Sequence, residues 1–176
     1  MKNYVSFLVF VFAVATVLPG SAVRAADQPS MVTEAYGNWL YRCVRVEGDR
    51  RLCEVAQDVT AFQEGQPSTV LRIAITQDVG GEHRLVIVTP LSVHLPTGLR
   101  LSVDDEKSES FAYQICDQAG CWIETTVEQQ LIDQLRRGAE GKAVFALRGG
   151  RELEVLFSLE GITAALGALD RSRQDS

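Results

Sequence analysis

The chain has few of the side chains that carry enzyme chemistry. It has two histidines, and its four cysteines form no Cys-x-x-Cys motif. The lack of that motif argues against a thiol oxidoreductase and against a four-cysteine zinc site. Neither Gly80-Gly81 nor Gly149-Gly150 is followed by the lysine and serine of a phosphate-binding loop, so both glycine pairs are predicted to be hairpin turns. The sequence gives no support to redox, zinc or nucleotide chemistry.

The two histidines offer no catalytic triad. His83 follows Gly80-Gly81 and is predicted to be solvated at a turn. His94 has the opposite parity to the apolar residues around it and is predicted to have a structural role. A serine–histidine–aspartate arrangement would require a geometry that the sequence does not supply.

The acidic clusters are also better explained without chemistry. Residues 104–106 are acidic, but the turn glycine and late glutamate of a calcium loop are missing, which predicts a solvated hairpin tip. Glu152 and Glu154 flank a leucine in a predicted strand. They are predicted to lie on the solvent-exposed face of that strand and not to act as an acid–base pair. We therefore assign no catalytic, cofactor-binding or metal-ligating residue, and we predict that the protein is not an enzyme.

The chain also carries an excess of negative charge. Asp and Glu number 23 against 17 Lys and Arg, which gives a net charge of −6. Nucleic acid and anionic lipid would repel such a chain, so neither is an expected partner. One local group of basic residues could act against this, and it is predicted to lie on a solvated strand face and turn: Arg42, Arg45, Arg50 and Arg51.

The one long apolar run lies at the beginning of the chain. It extends from Tyr4 to Leu18 after the basic Lys2, and a small-x-small site follows at residues 23–25. This pattern predicts a secretory signal peptide at residues 1–25, with cleavage before Ala26. A membrane anchor is the rival interpretation, but the run is shorter than the about 20 residues that a spanning helix needs. We expect a periplasmic or secreted bacterial protein with no membrane span after cleavage.

Four cysteines in an exported chain predict two disulfides. Three pairings are open, and nearest-neighbour pairing is favoured because each pair then brackets a turn. The favoured pairs are Cys43 with Cys53, and Cys116 with Cys121.

The rest of the chain indicates one domain. We predict a flexible leader at 26–33, a domain at 34–170 and a polar tail at 171–176. Apolar residues recur mainly at period two, which is typical of strands, and two helical segments follow late in the chain. The first is predicted to have a capping box at Thr126 and Gln129, and the second to begin at Ser158. Together they predict a mainly β fold, an antiparallel β-sandwich with two short covering helices.

Trp122 is the single candidate recognition residue. It directly follows Cys121 in the predicted cysteine hairpin. One interpretation packs its indole on a disulfide. The other places it in an exposed recognition patch, since tryptophan is enriched at binding hot spots.

Several motifs together resemble the invasion-associated locus B family of exported bacterial proteins. The resemblance covers about residues 36–169. It departs from the family at His94 and Ile162, where an aliphatic residue and phenylalanine are usual. The motifs are Tyr36-Gly37-Asn38-Trp39, then Cys43 and Cys53-Glu54, then Pro90-Leu91-Ser92-Val93-His94-Leu95-Pro96-Thr97-Gly98-Leu99 with Val103-Asp104, then Cys116 with Gly120-Cys121, then residues 131–138, and finally Ser158-Leu159-Glu160-Gly161-Ile162 with Ala165-Leu166.

This resemblance implies an immunoglobulin-like β-sandwich in the periplasm, envelope or outside medium, and a link to host-cell invasion. The family brings no established catalytic residues. We expect a non-enzymatic binding or envelope protein with an unknown protein partner in the envelope or on a host cell. A periplasmic chaperone, an inhibitor, and an enzyme with an unrecognised site are the alternatives.

Overall fold

The computed structural model describes residues 31–46, 51–63, 65–78, 80–104 and 106–174. The predicted signal peptide, the first part of the predicted leader and Arg50 lie outside the described residues.

The described residues form eleven strands and two α-helices. Their order along the chain is β1 (Met31–Tyr36), β2 (Trp39–Arg45), β3 (Arg51–Gln63), β4 (Gln66–Gln77), β5 (His83–Thr89), β6 (Leu99–Val103), β7 (Glu109–Phe111), β8 (Ile115–Cys116), β9 (Cys121–Thr126), α1 (Gln129–Arg137), β10 (Glu140–Ala146), β11 (Glu152–Ser158) and α2 (Ile162–Gln174).

The strands build two sheets in which every pairing is antiparallel. The larger sheet has the order β1-β2-β3-β4-β5-β9-β8, and the smaller has the order β11-β10-β6-β7. The first five strands thus follow one another as a meander. The predicted fold class, a mainly β antiparallel sandwich with two helices, is confirmed.

Alternating burial explains which faces meet. Leu71, Ile73 and Ile75 of β4 are fully buried, whereas Arg72 between them faces outward. In β5, which lies between β4 and β9 in the sheet, both Ile87 and Val88 are buried. Period-two burial of this kind is what fixes the register of an antiparallel sheet.

The two sheets and both helices share one apolar core. Burying a large aliphatic or aromatic side chain contributes roughly 1.5–3 kcal/mol before conformational entropy is counted. Helix α2 lies against β1–β4 and against α1. The core includes Trp39, Leu71, Ile73, Leu85, Ile87, Leu101, Ile123, Leu131, Leu135, Phe145, Phe157, Ile162, Leu166 and Leu169.

Both helices begin later than predicted. Thr126 remains paired with Arg84 in the sheet, so the N-cap of α1 is Glu128, without a side-chain capping bond, and the predicted capping box is wrong. Ser158 ends β11 instead of capping α2. Its hydroxyl oxygen accepts the Glu160 N–H at 3.1 Å in the turn before the helix. In both cases strand pairing holds a residue whose type suits a helix cap.

The domain also extends beyond both predicted boundaries. Residues 31–33, predicted to belong to the leader, are part of β1 because they pair with Arg42, Cys43 and Val44 of β2. Residues 171–174, predicted to belong to a polar tail, continue α2, and Ser172 is buried.

The fifth strand ends before a proline. The chain leaves β5 at Pro90 and makes a single bridge between Val93 and Leu147. A short 3-10 turn then covers Leu95–Thr97, with Leu95 exposed. Proline cannot donate a ladder hydrogen bond, so the sheet is interrupted here.

Candidate functional site

Two disulfides join neighbouring strands directly across the ladder. Cys43 is bonded to Cys53 with their Cα atoms 4.1 Å apart, and Cys116 is bonded to Cys121 with 4.0 Å between Cα atoms. Both are register partners, one pair between β2 and β3 and the other between β8 and β9. These are the pairs that nearest-neighbour pairing favoured. The first is largely buried, whereas Cys116 is exposed on the edge strand β8.

The first and last motifs of the family resemblance meet at one junction. Gly37 turns β1 into β2 with φ at +57°, and Asn38 donates its N–H to the Glu160 carbonyl at 3.2 Å. A Cβ on Gly161 would lie 2.0 Å from the Tyr36 carbonyl oxygen. This close backbone approach requires glycine there, so the motif serves the docking of a turn on the beginning of α2.

Buried side chains complete that junction. The indole N–H of Trp39 donates to the Ser158 carbonyl at 3.0 Å, and the Gln57 amide donates to the same carbonyl at 3.2 Å. The Trp39 ring meets Phe157 edge-on, with 6.4 Å between centroids. The indole N–H and the amide thus have hydrogen-bond partners in the junction, and the motif has a structural role there.

The middle motifs of the family resemblance also contain glycines that lie close to the backbone of another segment. A Cβ on Gly98 would lie 2.5 Å from the Phe111 carbonyl oxygen, and one on Gly120 would lie 2.2 Å from the Thr89 carbonyl oxygen. Both glycines have positive φ. His94 is exposed, and its backbone N–H donates to the Ala146 carbonyl at 2.8 Å. The motifs that carry the family resemblance therefore hold neighbouring backbone segments in place.

His83 belongs to a polar junction between the sheet and both helices, so its prediction as a solvated turn residue is wrong. Its side chain is 11% exposed, and Nε2 lies 3.2 Å from Asp170 Oδ1. The Gln77 amide donates to the same oxygen at 2.7 Å, and the Arg136 guanidinium donates to the other at 2.8 Å. A cavity of about 490 Å³ lies beside it, lined by residues 81–83 and 126–129.

Charged side chains on the outer face of the larger sheet form ion pairs between neighbouring strands. Arg72 donates to Glu54 at 2.8 Å and to Asp58 at 3.0 Å, and Arg42 also pairs with Glu54. Burial works against the Arg72 cation, but the carboxylates of Glu54 and Asp58 outweigh it and raise its pKa. Arg42, which was predicted to lie on a solvated strand face, is thus paired with a carboxylate on a neighbouring strand.

An apolar row at the other end of this face contains Trp122. Ile115, Trp122 and Val88 are register partners across β8, β9 and β5, which places their side chains on one face. Ile115 is 64% exposed, Trp122 is half-buried and Val88 is buried. Because successive strand residues alternate, Trp122 and the cystine of Cys121 lie on opposite faces, and packing of the indole on the disulfide is not observed.

Asp117 holds the indole in place. Its Oδ1 accepts the Trp122 indole N–H at 3.0 Å and the backbone N–H groups of Ala119 at 2.8 Å and Gly120 at 3.2 Å. The hydrogen bond from Trp122, followed by those from the loop backbone, lowers the pKa of the Asp117 carboxyl. The four-residue loop inside the cystine is therefore ordered by one carboxylate.

Sequence reasoning singled out Trp122 but missed its neighbours. Ile115 was not singled out, and only the pairing of β8 with β9 puts it on the outer face. Phe62 was also missed; it is 80% exposed at the tip of the β3–β4 hairpin, beyond the ends of β2 and β5. Ile115 directly precedes Cys116, just as Trp122 directly follows Cys121. This symmetry about the turn is the sequence signal by which Ile115 could have been found.

No group of three or more histidine, cysteine, aspartate or glutamate residues is placed to hold a metal ion among the residues that the structure describes. No helix within those same ranges has the length and apolar character needed to cross a bilayer.

Taken together, the two cross-strand cystines, the paired sheets and the ordered edge around Trp122 define a disulfide-linked β-sandwich protein of the kind found in oxidising compartments. The model of the invasion associated locus B (IalB) protein family matches residues 39–170. The chain belongs to this family, which confirms the resemblance seen in the sequence.

A solved structure shows the same fold. The crystal structure of invasion associated protein b from Bartonella henselae superposes with a TM-score of 0.70 at 21% sequence identity. The match covers 82% of this chain and 99% of that one. No curated protein gives a sequence match.

Proposed function

We propose that this chain is an exported, non-enzymatic binding protein of the bacterial periplasm, envelope or surrounding medium. Its family and its two cystines support export to an oxidising compartment. The protein contacts another protein through the apolar row of Ile115, Trp122 and Val88, which we call the Trp122 row. The observation that carries this proposal is the indole held on an open sheet face at a cystine-locked edge.

The geometry of the Trp122 row suits protein recognition. An exposed isoleucine beside a half-buried tryptophan gives a compact apolar anchor at a sheet edge. The Asp117 hydrogen bond and the nearby disulfide fix the indole before any partner arrives, which reduces the entropy lost on binding. Two charged pairs on the same face, Arg84 with Glu124 and Arg72 with Asp58, form a polar rim.

The biological role that we propose is contact with a host cell during invasion. Its support is the family, together with the name of the structurally similar Bartonella henselae protein. The anionic chain would use an apolar surface for this, because its net charge of −6 does not favour an anionic cell surface.

The first test uses purified exported protein and intact host cells. Trp122→Ala should weaken binding at least about tenfold, because truncating a tryptophan hot spot removes most of its anchor. Leu156→Ala is the matched control, since Leu156 is 47% exposed on β11 of the other sheet. Far-UV circular dichroism and the urea midpoint check that both variants fold.

The second test finds the contact in living bacteria. A benzophenone amino acid in place of Ile115 should give a discrete crosslinked adduct after irradiation, and the same group in place of Leu156 should not. Adding Trp122→Ala should remove that adduct. Equal binding by Trp122→Ala and the unaltered protein would contradict the proposed surface, and turnover of a small substrate by the purified chain would contradict a non-enzymatic role.

A further inference from the structure

Strand β1 is an open edge of the larger sheet. It pairs with β2 on one side, and it is the first strand in the sheet order. Its six residues contain no lysine, no proline and no bulge, and Glu34 is their one charge. Natural sheets usually protect their edges with such features because a bare edge pairs with other strands. Within residues 31–36, which the structure describes, none of these features protects the edge.

The outward-facing backbone groups follow from the register. The two-residue turn at Gly37 makes Tyr36 and Trp39 the hydrogen-bonded closing pair, so Glu34 and Val32 also bond to β2. The Cα separation of 4.1 Å between Cys43 and Cys53 is that of a pair without ladder bonds. The Cys43 backbone therefore faces β1, in agreement with that alternation. The N–H and C=O groups of the three other residues point away from the sheet: Met31, Thr33 and Ala35.

Rows of side chains cross the outer face from this edge. One row is apolar and joins Met31, Val44 and Leu52, of which Met31 is 64% and Leu52 60% exposed. A cavity of about 250 Å³ lies along it. The next row is polar and joins Thr33 to Arg42 and then Glu54. The third row is apolar again and contains Ala35, Leu40 and Ala56.

We propose that β1 pairs antiparallel with β1 of a second copy of this chain, about a two-fold axis at Thr33. This register sets Met31 opposite Ala35 of the second copy. The first apolar row then continues into the third row of the other copy, and the polar row meets its own equivalent at Thr33. On the outer face, apolar residues are thus opposite apolar ones and threonine is opposite threonine, and such cross-strand pairs stabilise a sheet.

The charge of β1 allows it to pair with a second, equally acidic copy. Like charges placed opposite one another oppose association, and β1 offers one carboxylate, which accepts the Tyr36 hydroxyl at 2.5 Å. In the Thr33-centred register, Glu34 lies opposite Val32 and not opposite its own equivalent. The pairing uses the edge opposite β8, so it is independent of the function proposed for the Trp122 row.

The first experiment traps the two-fold axis. Exported protein carrying Thr33→Cys should form a disulfide-linked dimer on a non-reducing gel, because hydrogen-bonded antiparallel partners have Cα atoms close enough for a disulfide. Ser110→Cys is the matched control, since Ser110 is an exposed hydroxyl residue on β7, an edge of the smaller sheet. Equal dimer formation by both variants would overturn the proposal.

The second experiment tests the register. Met31→Cys and Ala35→Cys proteins should each remain largely uncrosslinked alone and form a dimer when mixed, because they are opposite each other in the proposed pair. Crosslinking of each alone with none in the mixture would contradict the Thr33-centred register.

The third experiment removes one outward-facing donor without adding a cysteine. Thr33→Pro should abolish the concentration-dependent dimer seen by sedimentation, because proline is tolerated at an edge but cannot donate. Thr33→Val keeps the backbone N–H and should retain the dimer. A protein that stays monomeric before any substitution, up to hundreds of micromolar, would overturn the proposal; a complex only with an added foreign strand peptide would do the same.

Discussion

At the scale of single residues, one carboxylate couples the cystine loop to the candidate recognition residue. Asp117 accepts two loop N–H groups and the Trp122 indole at the same oxygen. The ionised carboxylate is the better acceptor, so these bonds lower its pKa below the ordinary value of 3.8. Protonation should loosen the loop and the indole together.

The first prediction concerns this carboxyl. A lowered pKa means that its contribution to stability is complete above about pH 3.8 and is lost as the pH falls through the lower pKa of the folded protein. The indole N–H resonance of Trp122 should therefore shift with an acid midpoint below 3.8. Trp39 is an internal reference, because its indole donates to the Ser158 carbonyl, which does not titrate.

The control for this prediction is Asp117→Asn. The amide oxygen still accepts the indole N–H but cannot lose or gain the proton, so the acid shift of Trp122 should disappear. An unchanged acid midpoint in Asp117→Asn would contradict the assignment.

At the scale of elements, the sheet and the last helix are joined by backbone contacts where side chains would not fit. The β1–β2 turn lies directly against the residues before α2, and both sides of the contact are glycines. The turn and the beginning of the helix are close-packed, because the contact between them leaves no space for even a single Cβ.

The second prediction compares two glycines with similar φ values. Gly161→Ala should lower the free energy of unfolding by roughly 3 kcal/mol or more, from left-handed strain together with a collision at the Tyr36 carbonyl. Gly150→Ala carries the strain at φ +86° with open space around it, and should cost about 1–2 kcal/mol. Urea unfolding of both variants measures the difference. Equal losses would show that the junction yields to the added methyl group.

At the scale of the whole molecule, two covalent links hold the same sheet near its two ends. One connects β2 to β3 beside the β1 edge, and the other connects β8 to β9 beside Trp122. The short loops that they close contribute about 2–3 kcal/mol each in the loop-entropy description. The ends of the sheet, where we place both proposed interfaces, are therefore the covalently supported parts.

The third prediction is the disulfide pairing of the exported protein. Peptide mapping without reduction should recover Cys43 linked to Cys53 and Cys116 linked to Cys121. Mild reduction should open the second link first, because Cys116 is exposed and Cys43 is buried. A peptide joining Cys43 to Cys116 would contradict this pairing.

Sequence alone predicted the elements and the fold class well, because both depend on local periodicity. Leu71, Ile73 and Ile75 recur at period two, and Leu131 and Leu135 recur at helical spacing, so the sequence of each segment indicates which face it buries. The family resemblance was also visible in short motifs. The absence of a catalytic pattern led to the expectation of a binding protein, which stays a proposal.

Only the tertiary structure decided how those elements are joined. Thr126 and Ser158 have the chemistry of helix caps, but long-range pairing keeps both in strands. His83 follows a turn and looks solvated, yet α2 brings Asp170 to its ring from 87 residues away. The edges at β1 and β8 depend on the sheet order in the same way. Periodicity along a chain fixes what each segment buries, whereas neighbours distant in sequence fix where it ends and which surface stays open.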